Sequence, residues 1–292
     1  MRRIRFGMAA VLALSGLVGT SADAELLYTT NGASISRFDS ASTGVVTTVP
    51  VTGLQAGETL VGLDVRPATS ALYGIGSSSR LYTLNPLTGA ATQVGTAGAF
   101  TLSGTSFGTD FNPTVDRIRV VGNTGQNLRL NPDSGGLAAT DTAITPAGTT
   151  IAAVAYDRNF PRVSGDTTPT TLYAIDSSAG TLVTIGSVNG TTSPNGGVTS
   201  VVGSLGLGTS LNDSIGFDIS GTGAAFGSIT TGGTSRLYSI NLTTGAATLV
   251  GSIGAGTTPF AGLAAATAPE PGTFALLAAG VTMTLGRRRR RA

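Results

Sequence analysis

The 292-residue sequence contains no cysteine, histidine, tryptophan or lysine, and only 11% of it is charged. Each absence closes a chemistry. Without His or Cys there is no Ser-His-Asp triad, no thiol nucleophile, no zinc finger and no ordinary haem ligand. Without Lys there is no Walker A loop, no Schiff base and no kinase-type phosphate clamp. All 17 cationic side chains are therefore arginines. No motif in the chain names a substrate. What is plentiful is glycine, at 43 residues, and the architecture is written in its spacing.

The two ends read as addresses rather than as fold. Arg2, Arg3 and Arg5 precede an apolar run from Phe6 to Val18, and the segment closes on Ala22-Asp23-Ala24. A basic region, a short apolar core and a small-residue cleavage site are the parts of a secretory signal peptide, with cleavage expected between Ala24 and Glu25. At the other end, Pro269-Glu270-Pro271-Gly272 precedes an apolar stretch from Thr273 to Leu285, and an unbroken run from Arg287 to Arg291 follows. A helix across that stretch would be about 22 Å long, short of the roughly 30 Å hydrocarbon core, with arginines held on the cytoplasmic side.

This tail, residues 268–292, resembles the PEP-CTERM sorting signal of Gram-negative bacteria, with Pro269, Glu270 and Pro271 at the motif positions. The resemblance implies transient anchoring in the inner membrane, recognition by an exosortase-type protease, and release to the cell surface or an exopolysaccharide-rich matrix. A plain C-terminal membrane anchor is the alternative. With the signal peptide and the arginine run set aside and Glu270 kept, nine arginines face fourteen acids, so the remainder is near −5. No basic patch of the kind nucleic acid demands is left.

Between the addresses the chain repeats. A short alternating run, an Asn or Asp, a few residues and then Gly recur at Asp39, Asn85, Asn131, Asp176 and Asn241, spaced 46, 46, 45 and 65. An Asx side chain bonding the backbone ahead of it, followed by Gly at positive φ, is hairpin-turn chemistry. A second element lies upstream, around Asp64, Asp110, Asp157 and Asp218, with another short strand between it and the hairpin. Four strands per repeat of about 46 residues is the size of a propeller blade.

The first hairpin lacks its upstream element, and Pro259–Thr267 supplies a matching one at the far end. These features predict an all-β, five-bladed propeller over residues 25–267, closed by pairing of the C-terminal strand with the N-terminal blade. Blades fall near 60–96, 106–142, 151–187 and 214–252, and the fifth is shared between 25–50 and 259–267. The extra length at 188–213 reads as a surface loop, with room for a short hairpin, rather than a sixth blade. Gly62, Gly108, Gly216 and Gly262 on the inner strands fit crowding near a narrow axis. An open solenoid or a sandwich of hairpins is the competing architecture.

The stretch TDFNPTVDRIRVVGNTGQNLRLNPDSG and the LYxI/L and TG repeats around it are similar to an exported bacterial family known only as a domain of unknown function. That resemblance implies a propeller-like fold and export, and it carries no catalytic residues.

Asp64, Asp110, Asp157 and Asp218 are the candidate site. If all line one mouth of the channel, their oxygens suit Ca²⁺ or Mg²⁺ rather than zinc. Alternatively each ties its blade to the next by accepting backbone N–H groups or pairing with Arg66, Arg117 or Arg158. A glycan hydrolase or lyase would need two accessible carboxyls at a set separation. Only Glu25, Glu58 and Glu270 supplement the aspartates outside the signal peptide, and no Trp offers a sugar platform. Tyr73, Tyr82, Tyr173 and Tyr238 read as packing residues. Gly104–Gly108 matches G-x-S-x-G, but the chain has no His to activate Ser106. Asn131–Gly135 is a turn rather than a calcium loop, lacking the required Glu. The leading expectation is a non-enzymatic surface or matrix protein, partnered by extracellular polysaccharide or surface proteins. A glycan-active enzyme and a divalent-cation-binding surface protein are the alternatives.

Overall fold

The repeated alternation of apolar and polar residues becomes strand wherever an Asx turn reverses the chain. At the second hairpin, Asn85 Oδ1 accepts the N–H groups of Leu87 and Thr88 at 2.9 and 3.2 Å, and Gly89 follows at φ 77°. A Cβ at Gly89 would lie 1.9 Å from the Pro50 carbonyl oxygen, so both the turn and its packing on the neighbouring blade require glycine. Asn131 and Asn241 repeat the arrangement.

The computed structural model describes residues 24–163 and 165–267. The first blade takes β1 (Leu26–Thr30), β2 (Ser34–Asp39) and β3 (Val46–Pro50). The second is β4 (Leu60–Arg66), β5 (Ala71–Gly76), β6 (Arg80–Leu84) and β7 (Ala91–Val94). The third is β8 (Phe107–Asn112), β9 (Arg117–Gly122), β10 (Asn127–Leu130) and β11 (Leu137–Thr140). The fourth is β12 (Ile151–Tyr156), β13 (Leu172–Asp176), β14 (Thr181–Ile185) and β15 (Thr199–Ser204). The fifth is β16 (Ile215–Ile219), β17 (Ala225–Thr231), β18 (Thr234–Ile240) and β19 (Ala247–Ser252).

The last strand, β20 (Ala261–Ala265), returns to the first blade and pairs antiparallel with β1, Leu27 opposite Ala265 and Thr29 opposite Leu263. Five four-stranded antiparallel sheets result, the first in the order β20-β1-β2-β3. The protein is a five-bladed β-propeller closed by its C-terminal strand. Closure covers the free edge of β1 that an open array would leave exposed. The signal-peptide residues 1–23 and the sorting residues Pro269, Glu270 and Pro271 lie outside the described residues.

Five apolar clusters hold the ring, and each draws on two adjacent blades. One joins Ile175 and Leu182 of the fourth blade to Phe217 and Ile229 of the fifth. Another joins Leu27 and Leu263 of the first to Phe226 and Leu237 of the fifth. Burial of several such side chains, each contributing roughly 1.5–3 kcal/mol, stabilises every blade contact.

The inner strands β4, β8, β12, β16 and β20 stand side by side around the axis. They approach so closely that a Cβ on Gly108 would sit 2.6 Å from the Val154 nitrogen, and one on Gly216 would sit 2.4 Å from the Gly262 carbonyl carbon. The ring diameter is therefore set by glycine at these positions.

The fourth blade departs from the sequence expectation. The Asp176 turn there joins the second and third strands, not the third and fourth, and β15 supplies the outermost strand from within 188–213. That segment is thus not an appended loop, and the blade runs to Ser204 rather than ending at 187. Two three-residue 3-10 turns, Val188–Gly190 and Pro194–Gly196, lead into it. There Asn195 Oδ1 accepts from Arg119 at 2.7 Å, and the Pro194 carbonyl accepts from Asn127 at 3.2 Å. Arg119, only 2% exposed, also bonds Asn127 and pairs with Asp141. The segment therefore closes a polar network belonging to the third blade.

Candidate functional site

Residues two apart on a strand share a face. Asp64, Asp110 and Asp218 each lie two positions after a close-approach glycine, so the crowding at the axis carries them inward together. One oxygen from each of the three carboxyls lies within 4.8 Å of the other two. The residues are 0%, 1% and 0% exposed, so the cluster is sealed rather than set at an open mouth.

Asp157 is not part of it. Ala155 stands opposite Tyr173 as Asp64 stands opposite Tyr73, so Ala155 is the fourth blade's equivalent. Ala264, opposite Tyr28, is the first blade's. Asp157 falls two residues further along, partly exposed, where its Oδ1 accepts the Thr171 N–H at 2.7 Å and pins the base of a long loop. Sequence spacing misplaced it because this blade has no glycine at the close approach. Ala153 stands there, and the next Asp is four residues on instead of two.

The three carboxyls satisfy one N–H group from each of the five inner strands. Asp64 Oδ1 accepts from its own neighbour Val65, and Oδ2 from Phe111 of the next blade, both at 2.7 Å. Asp110 Oδ2 accepts from Tyr156 at 2.7 Å. Asp218 Oδ1 accepts from Ile219 at 2.6 Å, and Oδ2 from Ala265 of the closing strand at 2.5 Å. The blades carrying Ala155 and Ala264 reach nothing forward, and the neighbouring aspartate fills the gap by capping its own strand. Six oxygens meet five backbone donors. The oxygen left over, Asp110 Oδ1, has no hydrogen-bond partner.

Burial is the main force on the protons here. It raises the Asp64 carboxyl well above the usual range, with the charge of Asp218 adding to it. It raises Asp110 likewise, with Asp64 and Asp218 contributing. Asp218 is pushed up to about 7, again chiefly by burial, against the hydrogen bonds from Ala265 and Ile219. No arginine pairs with any of the three among the described residues. Arg66 turns instead to Asp116 and Asp133 of the third blade.

Asn159, absent from the sequence expectations, belongs to this site. It is 2% exposed, its Nδ2 lies 3.5 Å from Asp218 Oδ1, and its own Oδ1 has no donor. Nothing in a loop reading DRNFP marks it from sequence alone.

The remaining candidates have other employment. Glu58 is held below its ordinary range: burial pushes it up, but hydrogen bonds from the Ser78 and Tyr82 hydroxyls and two backbone N–H groups outweigh that. Burial and that same carboxylate push the Tyr82 phenol up to about 12. Glu25 Oε1 accepts from Ser220 and Thr222, tying the start of the first blade to the fifth. Ser106 of the G-x-S-x-G match precedes β8 and donates to the Asp213 carbonyl at 2.8 Å.

A groove of 680 Å³ runs between the first two blades beside Ala266 and Thr267. Its polar lining is uncharged, with Tyr28, Ser70, Thr83, Asn85 and Thr92 among its residues.

These features define a class: a closed five-bladed propeller whose axis is plugged by buried carboxylates. Residues 34–264 match the family described as Domain of unknown function (DUF4394), and the chain belongs to that family. No curated protein matches the sequence. Among solved structures, the chain is similar to PorZ, a surface component of the type-IX secretion system of Porphyromonas gingivalis, at 15% identity and a TM-score of 0.39. That match covers 76% of this chain and 27% of PorZ, so the chain spans about a quarter of that protein. It is also similar to virginiamycin B lyase from Staphylococcus aureus, at 12% identity and a TM-score of 0.41, covering 79% of this chain and 71% of the lyase. A Lactobacillus plantarum protein aligns at 18% identity and a TM-score of 0.39, over 81% of this chain and 70% of its own. Among the described residues, no helix is long and apolar enough to cross a membrane.

Proposed function

We propose that the domain is a non-catalytic binding or structural propeller, exported to the cell surface or extracellular matrix of a Gram-negative-type bacterium and associated there with exopolysaccharide. The observation that carries the reading is the sealing of the axial carboxylates. A glycan-cleaving enzyme needs two carboxyls that reach substrate, whereas Asp64, Asp110 and Asp218 are buried and turned to backbone N–H groups. The groove between the first two blades presents hydroxyls, an amide and one phenol without charge, which suits a neutral polymer rich in hydroxyl groups.

The route is part of the proposal. Cleavage between Ala24 and Glu25 frees the N-terminus, the tail holds the chain briefly at the inner membrane, and an exosortase-type protease reads Pro269, Glu270 and Pro271. The test is a glycan array run beside a hydrolysis screen on purified protein. Retention without turnover, weakened several-fold by Tyr28→Ala, supports the reading. Product release, or retention of no glycan at all, overturns it.

A further inference from the structure

The axial cluster has an excess of acceptors. Three carboxyls face one another without a guanidinium, and after five N–H groups are satisfied, Asp110 Oδ1 has no donor. Asn159, from outside the acidic set and 98% buried, points its amide at Asp218 and leaves a second oxygen with none. A buried acceptor without a partner costs roughly 1–3 kcal/mol, and a charged one costs more. The Asp110 oxygen, facing two further carboxyls, marks a place where positive charge belongs: a proton shared with Asp64 while the carboxyls are neutral, and a cation once they ionise.

We propose that Asp64, Asp110 and Asp218 form a divalent-cation site on the propeller axis, with the Asn159 side chain as a fourth protein ligand once its amide turns over to bring Oδ1, in place of Nδ2, beside Asp218. The donors are all hard oxygens, which suit Ca²⁺ or Mg²⁺ over zinc or copper. Ca²⁺ is the better fit. Ca²⁺ accepts irregular sets of six to eight oxygens at about 2.3–2.6 Å, which oxygens lying within 4.8 Å of one another can share. Mg²⁺ demands a tighter octahedron at about 2.0–2.1 Å and gives up its waters reluctantly. A carboxylate oxygen has two lone pairs, so one that accepts an N–H can also ligate, and the blade-to-blade bonds persist in the loaded ring. The ligands come from the second, third and fifth blades and from the β12–β13 loop of the fourth. The ion would therefore pin four blades at their convergence, and its binding would be read as stability of the whole ring.

The test is calorimetric titration of the chelator-stripped protein with CaCl₂ and, separately, MgCl₂ at about pH 8, alongside thermal melts. The expected result is one saturable Ca²⁺ site per chain and a melting temperature raised by roughly 5–10 °C at a hundredfold excess over Kd. Asp110→Asn keeps an oxygen for the Tyr156 N–H and should fold, yet lose the Ca²⁺ response. Asn159→Ala, which touches no inter-strand bond, should weaken binding about tenfold. The proposal is overturned if neither salt binds saturably up to about 10 mM, above the weakest extracellular Ca²⁺ modules. It is equally overturned if the response survives unchanged in Asp110→Asn. Neither readout involves a glycan, so failure here leaves the polysaccharide reading to its own experiment.

Discussion

Raising the pH should loosen this propeller over a range in which most proteins are indifferent. The perturbation is a pH series on protein kept free of divalent cations. Burial raises Asp64 and Asp110 well above the ordinary carboxyl range and lifts Asp218 to about 7. The unfolded chain releases the same protons near pH 4. The folded ring therefore binds more protons than the unfolded chain between those limits, and stability falls as pH rises through them. The contribution is whole below about pH 4 and is lost by about pH 7 for Asp218, worth up to about 4 kcal/mol for a displacement of roughly three pH units. Glu58 and Asp141 work the other way: each is held below its usual range, so their contribution is present above about pH 4 and is lost on acidification. The stability optimum should accordingly lie near pH 4–5. Urea unfolding followed by circular dichroism at about pH 4.5 and about pH 8 reads this directly, with a midpoint lower by at least about 1 M at the higher pH. Asp218→Asn, a neutral mimic of the protonated carboxyl, should flatten the curve. A midpoint that is constant or higher at pH 8 would refute the argument.

Other outcomes follow from single contacts. Gly216→Ala places a Cβ 2.4 Å from the Gly262 carbonyl carbon and should cost about 1–3 kcal/mol or more in a denaturant melt, because two backbones must part. Arg119→Met takes one of two arginines from Asp141, which keeps Arg129, and strands Asn127 and Asn195, with an expected loss of about 1–3 kcal/mol and early proteolysis in 188–198. Ending the chain before Ala261 removes β20, bares the edge of β1 and takes the Ala265 N–H from Asp218. The product should elute from a sizing column as aggregate rather than as a monomer. Ser106→Ala should leave stability within about 1 kcal/mol of the parent.

The fold was legible because its signals are local. An Asx turn needs only a side-chain oxygen two or three residues from the N–H groups it accepts, so Asn85, Asn131 and Asn241 announce themselves at fixed spacing. Ring closure was also readable, from a blade without an inner strand and a matching segment left over near Phe260. The fourth blade was not, because which hairpin joins which strands depends on pairing between distant segments. There β13 pairs directly with β12 across a long loop, displacing the repeat by one strand and drawing β15 out of what looked like filler. Asp157 was misplaced for a separate reason, the absence of a close-approach glycine from β12. The G-x-D spacing at 62–64, 108–110 and 216–218 would have excluded it, since side chains two apart share a face and those four apart from the close approach lie beyond the axis. Asn159 had no such signal, because its place beside Asp218 arises only when two blades meet.

Because β20 runs antiparallel to β1, with the Ala266 N–H donating to the Leu26 carbonyl at 2.8 Å, both ends of the described chain leave the ring at one corner of one blade. Tension applied between those ends would load that ladder from its open end, rupturing bonds singly, like a zip, rather than sharing the force across the strand. The first blade is thus the mechanical fuse of the molecule: it would part at low force while the other four sheets stayed folded.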